Sequence, residues 1–118
     1  MKRIILLAIG IVLMASVSWG ASLNLKAAWT PNTETDMAGY NLYRTDGTRL
    51  KINTILIVHP PTLPYLFVIT VPDNSQGTAT FVLTAVDITG NESEDSNTVP
   101  FAYDVLKPVK PVGFGVTK

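Results

Sequence analysis

Thr80-Phe81-Val82-Leu83-Thr84-Ala85-Val86-Asp87-Ile88-Thr89-Gly90-Asn91-Glu92-Ser93, running on through Ser96-Asn97-Thr98-Val99, decides the fold of this chain. Side chains alternate from Ala79 onward. Ala79, Phe81, Leu83 and Ala85 share one face of an extended segment, while Thr80, Val82, Thr84 and Val86 share the other. A polar Gly-Asn turn follows, with Asn91 expected to take the left-handed conformation. A last strand is expected from about Ser96 to Tyr103. Strand, tight turn and strand write the final hairpin of a small β-sandwich.

The same period of two runs back through the chain. Leu23, Leu25, Ala27 and Trp29 alternate with Ser22, Asn24, Lys26 and Ala28, and Pro31 stops the strand. After a polar loop, Tyr40 and Leu42 share one face of a second strand and Asn41 and Tyr43 the other. Asp46-Gly47 reads as a two-residue hairpin turn, because both positions tolerate positive φ. Residues 55–58 lead into Pro60, Pro61 and Pro64, which lack the amide donors of a central strand, so an edge or crossover is expected there. Residues 65–71 resume a β-branched and aromatic strand, and residues 72–77 form a turn cluster. No helical periodicity follows residue 20. Six or seven short strands at regular spacing predict an all-β, antiparallel sandwich.

The first twenty residues read differently. Lys2-Arg3 precede fourteen apolar or small residues, and Ser18-Trp19-Gly20 set small side chains before a cut at Ala21. The stretch is shorter than the ~20 residues that span a bilayer. It predicts a bacterial-type export signal, cleaved after Gly20, which is the only expected membrane contact. Of 118 residues, one domain over 21–105 and a proline-rich tail over 106–118 remain, destined for the periplasm, the cell surface or the medium.

Cysteine is absent, so packing must supply the stability that disulfides give many exported domains. Nine basic residues balance nine acidic ones, and loss of Lys2 and Arg3 leaves a small negative charge. No basic cluster exists to meet a phosphate backbone, which argues against a nucleic-acid partner. With one histidine and no thiol, neither a cysteine nucleophile nor a multi-histidine metal site can be assembled. His59 reads as a structural or exposed loop residue. Asp87, Glu92, Glu94 and Asp95 carry oxygen ligands but follow no calcium-loop spacing. No catalytic residue, cofactor or metal is expected.

Leu25-x-Ala27-x-Trp29, Gly39-Tyr40-Asn41-Leu42-Tyr43-Arg44, Lys51-Ile52-Asn53-Thr54 and Thr84-Ala85-Val86-Asp87-x-x-Gly90-Asn91-Glu92-Ser93-x-x-Ser96-Asn97 together resemble the bacterial branch of the fibronectin type III domain. The resemblance covers about residues 22–103. It implies an immunoglobulin-like two-sheet sandwich with Trp29 and Tyr40 in the core, used as a non-catalytic module for spacing, adhesion or assembly. Two features depart from the family. Its strand F usually opens with a corner tyrosine, where this chain has Ala79. No strand A precedes the strand at Leu23.

An A-like segment stands instead at the other end: Pro108-Val109-Lys110-Pro111-Val112-Gly113-Phe114-Gly115-Val116-Thr117. Without strand A, the strand at Leu23 presents an unpaired edge that invites docking. Three readings of the tail follow: packing on its own sandwich in the place of strand A, donation to the next molecule, or free extension toward another protein. The residues expected to meet a partner are Val112, Phe114 and Val116 in the tail, Leu23 and Leu25 on the first strand, Tyr43, and the outward Val82 and Val86. A protein partner or self-association is the leading expectation. Carbohydrate is the alternative, through Tyr43, Tyr65, Phe101, Tyr103 and Phe114, if their rings share one surface.

Overall fold

The computed structural model describes residues 20–118, so the expected export signal lies outside the described residues but for Gly20. Seven strands form in chain order: β1 (Gly20–Ala27), β2 (Met37–Arg44), β3 (Leu50–Lys51), β4 (Ile57–Val58), β5 (Tyr65–Pro72), β6 (Gln76–Asp87) and β7 (Val99–Asp104). The described residues contain no helix. β1 and β5 pair antiparallel as a two-stranded sheet. The other five make a second antiparallel sheet in the order β3-β2-β6-β7, with β4 also paired to β2.

Alternation places the core between the sheets. Leu23 faces Ile69 across the small sheet and Leu25 faces Phe67. This row packs against Tyr40 and Leu42 of β2 and Ala79 and Phe81 of β6, all buried. Phe67 and Phe81 meet edge to face, 5.4 Å between centroids, as do Trp29 and Tyr40 at 5.1 Å. The Tyr40 hydroxyl accepts the Asn32 amide at 2.9 Å and lies 2.9 Å from His59 Nδ1, so the lone histidine closes a structural bond. Asn53, also buried, accepts the Leu42 N–H at 2.8 Å and donates to Asn41 Oδ1 at 2.9 Å.

Several local expectations need correction. Asp46-Gly47 is not a two-residue turn; residues 45–49 form a wider loop, and neither position has positive φ. The Asp46 carboxylate accepts from Arg44 at 2.9 Å and from the Thr80 N–H at 3.1 Å, drawing the loop onto β6. Arg44 also donates to the Thr70 carbonyl at 2.8 Å, tying the larger sheet to β5. At the far turn the left-handed residue is Gly90 (φ 93°), not Asn91. β7 begins at Val99 rather than near Ser96, because residues 92–97 run beside β6 with serine hydroxyls in place of ladder carbonyls. Ser96 Oγ accepts the Leu83 N–H and Ser93 Oγ the Ala85 N–H, each at 2.9 Å. The Gly20–Ala21 bond, where cleavage is expected, lies within β1, opposite Pro72 and Val71.

Gly39 marks the tightest approach inside the larger sheet. The β2–β6 register shifts between Met37 and Gly39, and Gly39 faces Val58 of β4. A Cβ at this position would run into the Ile57 carbonyl oxygen, which is backbone and cannot swing aside. Gly39→Ala is therefore expected to lower the stability by about 1–3 kcal/mol, the range for overpacking. A urea unfolding curve checks this; an unchanged midpoint would refute the contact.

Candidate functional site

The two sheets differ in width, and the difference leaves one flank open. Strands within a sheet lie about 4.8 Å apart, so β1 and β5 can cover only part of a sheet whose inner face is shared by β2, β6 and β7. Val99 and Phe101 of β7 sit opposite Phe81 and Ala79, which point into the core, so they occupy the same inner face. They are nevertheless 50% and 38% exposed, since no strand of the described residues lies over them. A groove of about 450 Å³ results. Leu25, Ala27 and Trp29 line one wall, Val99 and Phe101 the other, and Phe81 the floor.

Two further features belong to this flank. Among the described residues β1 pairs only with β5, so its other edge carries backbone N–H and C=O groups without ladder partners there. The Trp29 indole N–H is buried with no acceptor among the described residues, an omission that costs about 1–3 kcal/mol in a protein interior. An apolar trough beside an unpaired strand edge suits an extended peptide, whose backbone would complete the ladder while alternate side chains fill the trough.

The outer face of the larger sheet is closed by polar contacts. Tyr43 donates to Glu92 Oε2 at 2.6 Å and Thr84 donates to the same oxygen at 2.5 Å. The Glu92 carboxyl is held below its usual range by the Thr84 hydroxyl, then by Tyr43, and the same contact with Glu92 raises the Tyr43 phenol. Arg49 grips Asp95 with two nitrogens at 2.8 and 2.9 Å and lies 4.1 Å over the Tyr43 ring. These bonds to Arg49 lower the Asp95 carboxyl. Val82, the cross-strand neighbour of Tyr43, lies on the face this bridge crosses and is 5% exposed. Val82 is thus not exposed outward, which corrects the expectation, although it is among the residues that line the groove. Val86 is half-buried and bridges Glu92, and Tyr43 is engaged on both its ring and its hydroxyl.

The remaining expected residues divide clearly. Leu25 lines the groove, and Leu23 lies two places along the same inward row. Val112, Phe114 and Val116 are 86%, 86% and 84% exposed, so the tail does not fill the place of strand A on its own sandwich. Tyr65 stacks near Phe67, Tyr103 lies against Gly77 and Phe114 stands in the tail, so the aromatic rings are spread across separate parts of the chain. Val99 and Trp29 were absent from the expected partner residues, and Phe101 was expected only for the carbohydrate alternative. Their signal was latent in the missing strand, which leaves the inner face of the last strand without cover.

The acidic loop uses its carboxylates one by one. Glu92 serves Thr84, Tyr43 and Asn41, Asp95 serves Arg49, and Asp87 caps its own turn. Among the described residues, no group of three or more His, Cys, Asp or Glu could hold a metal ion. No known protein family, curated protein or solved structure matches the chain.

Asp87 gives this loop a measurable pH response. The Asn91 side-chain amide, the Asn91 backbone N–H and the Thr89 hydroxyl all donate to it, lowering its carboxyl from 3.8 to about 2. A carboxyl depressed in the folded state stabilises fully above its ordinary value, and that contribution fades as pH falls through the folded value. Asp87→Asn should therefore melt below the parent above about pH 5, with the gap closing toward about pH 2. Thermal melts across that range check it. A gap independent of pH would show that the charge of Asp87 plays no part.

Proposed function

We propose that this chain is an exported, non-catalytic protein-interaction module of the fibronectin type III kind. Its binding surface is the flank where β1 has no outer neighbour among the described residues. One observation carries the reading: Val99 and Phe101 point to the inner face of their sheet and yet meet solvent. Inward-facing apolar residues beside a free strand edge describe a sandwich one strand short. In favour of the family resemblance, Trp29 and Tyr40 pack together, and β1 pairs with β5 apart from the larger sheet. In that arrangement β1 takes the role of strand B, and the unfilled neighbour is the place of strand A. Export is supported by the apolar run before Gly20, which fits a module of the periplasm, the cell surface or the medium.

A photo-reactive benzoylphenylalanine in place of Val99, irradiated in cells that produce the protein, tests this function. A discrete covalent adduct with another polypeptide is expected, whereas the same probe in place of Ile55, an exposed residue away from the groove, should give none. Equal labelling at both positions, or none at either, would overturn the reading.

A further inference from the structure

We propose that the strand missing from this sandwich is supplied by the C-terminal tail of a second copy, so that molecules join head to tail. This rests on the reading above that the β1 flank accepts a strand, and adds the identity of the occupant.

The tail has the pattern the groove requires. Val112, Phe114 and Val116 recur every second residue and would project together from an extended strand, with Gly113 and Gly115 between them. All three are exposed in the free chain, where residues 105–118 belong to no strand. Gly113 has φ 70° there, and glycine moves between that conformation and the extended one with little steric penalty. The docked strand would also lie along the wall that holds the Trp29 N–H, which has no partner among the described residues.

Direction excludes the tail's own groove. Gly20 pairs with Pro72 and Asp104 with Gln76, so the start of β1 and the end of β7 lie at the same end of the molecule, beside the turn that joins β5 to β6. The tail is pinned at this turn. The Val105 N–H donates to the Ser75 carbonyl and the Lys107 N–H to Asn74 Oδ1, each at 2.8 Å. An antiparallel partner for β1 must start at the opposite end, near Ala27, about 25 Å away for an eight-residue strand. The five Cα–Cα steps from Lys107 to Val112 reach at most roughly 17 Å. Parallel docking would demand an immediate reversal, which Pro108 and Pro111 oppose by favouring an extended spacer. A tail leading away from its own domain instead meets the Ala27 end of a second molecule and runs antiparallel to that β1. Such a contact joins two different surfaces and does not close on itself, so it propagates.

Sedimentation of the purified protein over a range of concentrations tests the donation. The full chain should form a ladder of species that grows with concentration. Removal of residues 108–118 should leave monomers that can still accept, and Val99→Glu should leave monomers that can still donate. Mixed in equal amounts, these two variants should form a one-to-one dimer and nothing larger. Circular dichroism and thermal melts of each variant verify the fold, since both changes lie at exposed positions. A full chain that remains monomeric, or a truncated chain that forms the same ladder, would overturn the proposal. If the truncated chain still gives a Val99 photo-adduct with a different polypeptide, strand acceptance stands and the tail is not the occupant. An adduct confined to the same chain overturns both.

Discussion

Every other feature of this molecule depends on a two-stranded sheet having to shield a larger one. A lone pair of strands is marginal in water, so β1 and β5 persist through their inner row, Leu23, Leu25, Phe67, Ile69 and Val71, packed on the larger sheet. Each such side chain contributes on the order of 1.5–3 kcal/mol when fully buried. The arrangement shields β2 and β6 well, as the burial of Tyr40, Leu42, Ala79 and Phe81 records. It leaves Val99 and Phe101 of β7 uncovered. The groove is therefore the geometric remainder of a core built with unequal layers, and Arg44, bonded to the Thr70 carbonyl, holds the two layers together on the β5 side.

The outside of the larger sheet meets the same problem and solves it with side chains. Asn41 and Thr84 would be stranded polar groups on a strand face, but Glu92 folds over them and Asn53 bonds Asn41 from the side. Arg49 and Asp95 then reach across from facing loops. Because residues 92–97 borrow serine hydroxyls as acceptors, the chain keeps β6 partnered beyond Val99, where β7 begins. One face of the sheet is thus sealed by a polar loop while the opposite flank stays open and apolar, and that contrast separates structural contacts from docking surface.

Alternation made the strands legible in the sequence, since a period of two with buried Tyr40, Leu42, Ala79 and Phe81 admits little else. Misreadings arose where a distant side chain outbid local preference. Asp-Gly favours a two-residue turn, but Asp46 bonds Thr80 thirty-four residues away, and the loop opens to reach it. Val82 alternates outward and looks available, but it is buried beside Tyr43, on the face that the Arg49–Asp95 pair crosses, and alternation cannot place that pair. The groove was hidden for another reason. Val99 and Phe101 have the pattern of core residues, and their exposure depends on how many strands the opposite sheet holds, a property of topology rather than of any local segment.

The same topology sets the strength of strand donation. Ordering the five residues from Val112 to Val116 costs about 1–2 kcal/mol each in backbone freedom. Burial of Val112, Phe114 and Val116 returns roughly 1.5–3 kcal/mol apiece, with about 0.5–1.5 kcal/mol for each ladder hydrogen bond. The sums are close, so a single joint is reversible and responds to local concentration. Prolines at 108 and 111 tilt the balance toward docking, because a stiff spacer has less freedom to lose and already points away from its own domain. A free strand edge at one flank and an apolar tail leaving the other end are each an aggregation hazard alone. Paired between molecules, each covers the other, and one ordered contact takes the place of many unordered ones.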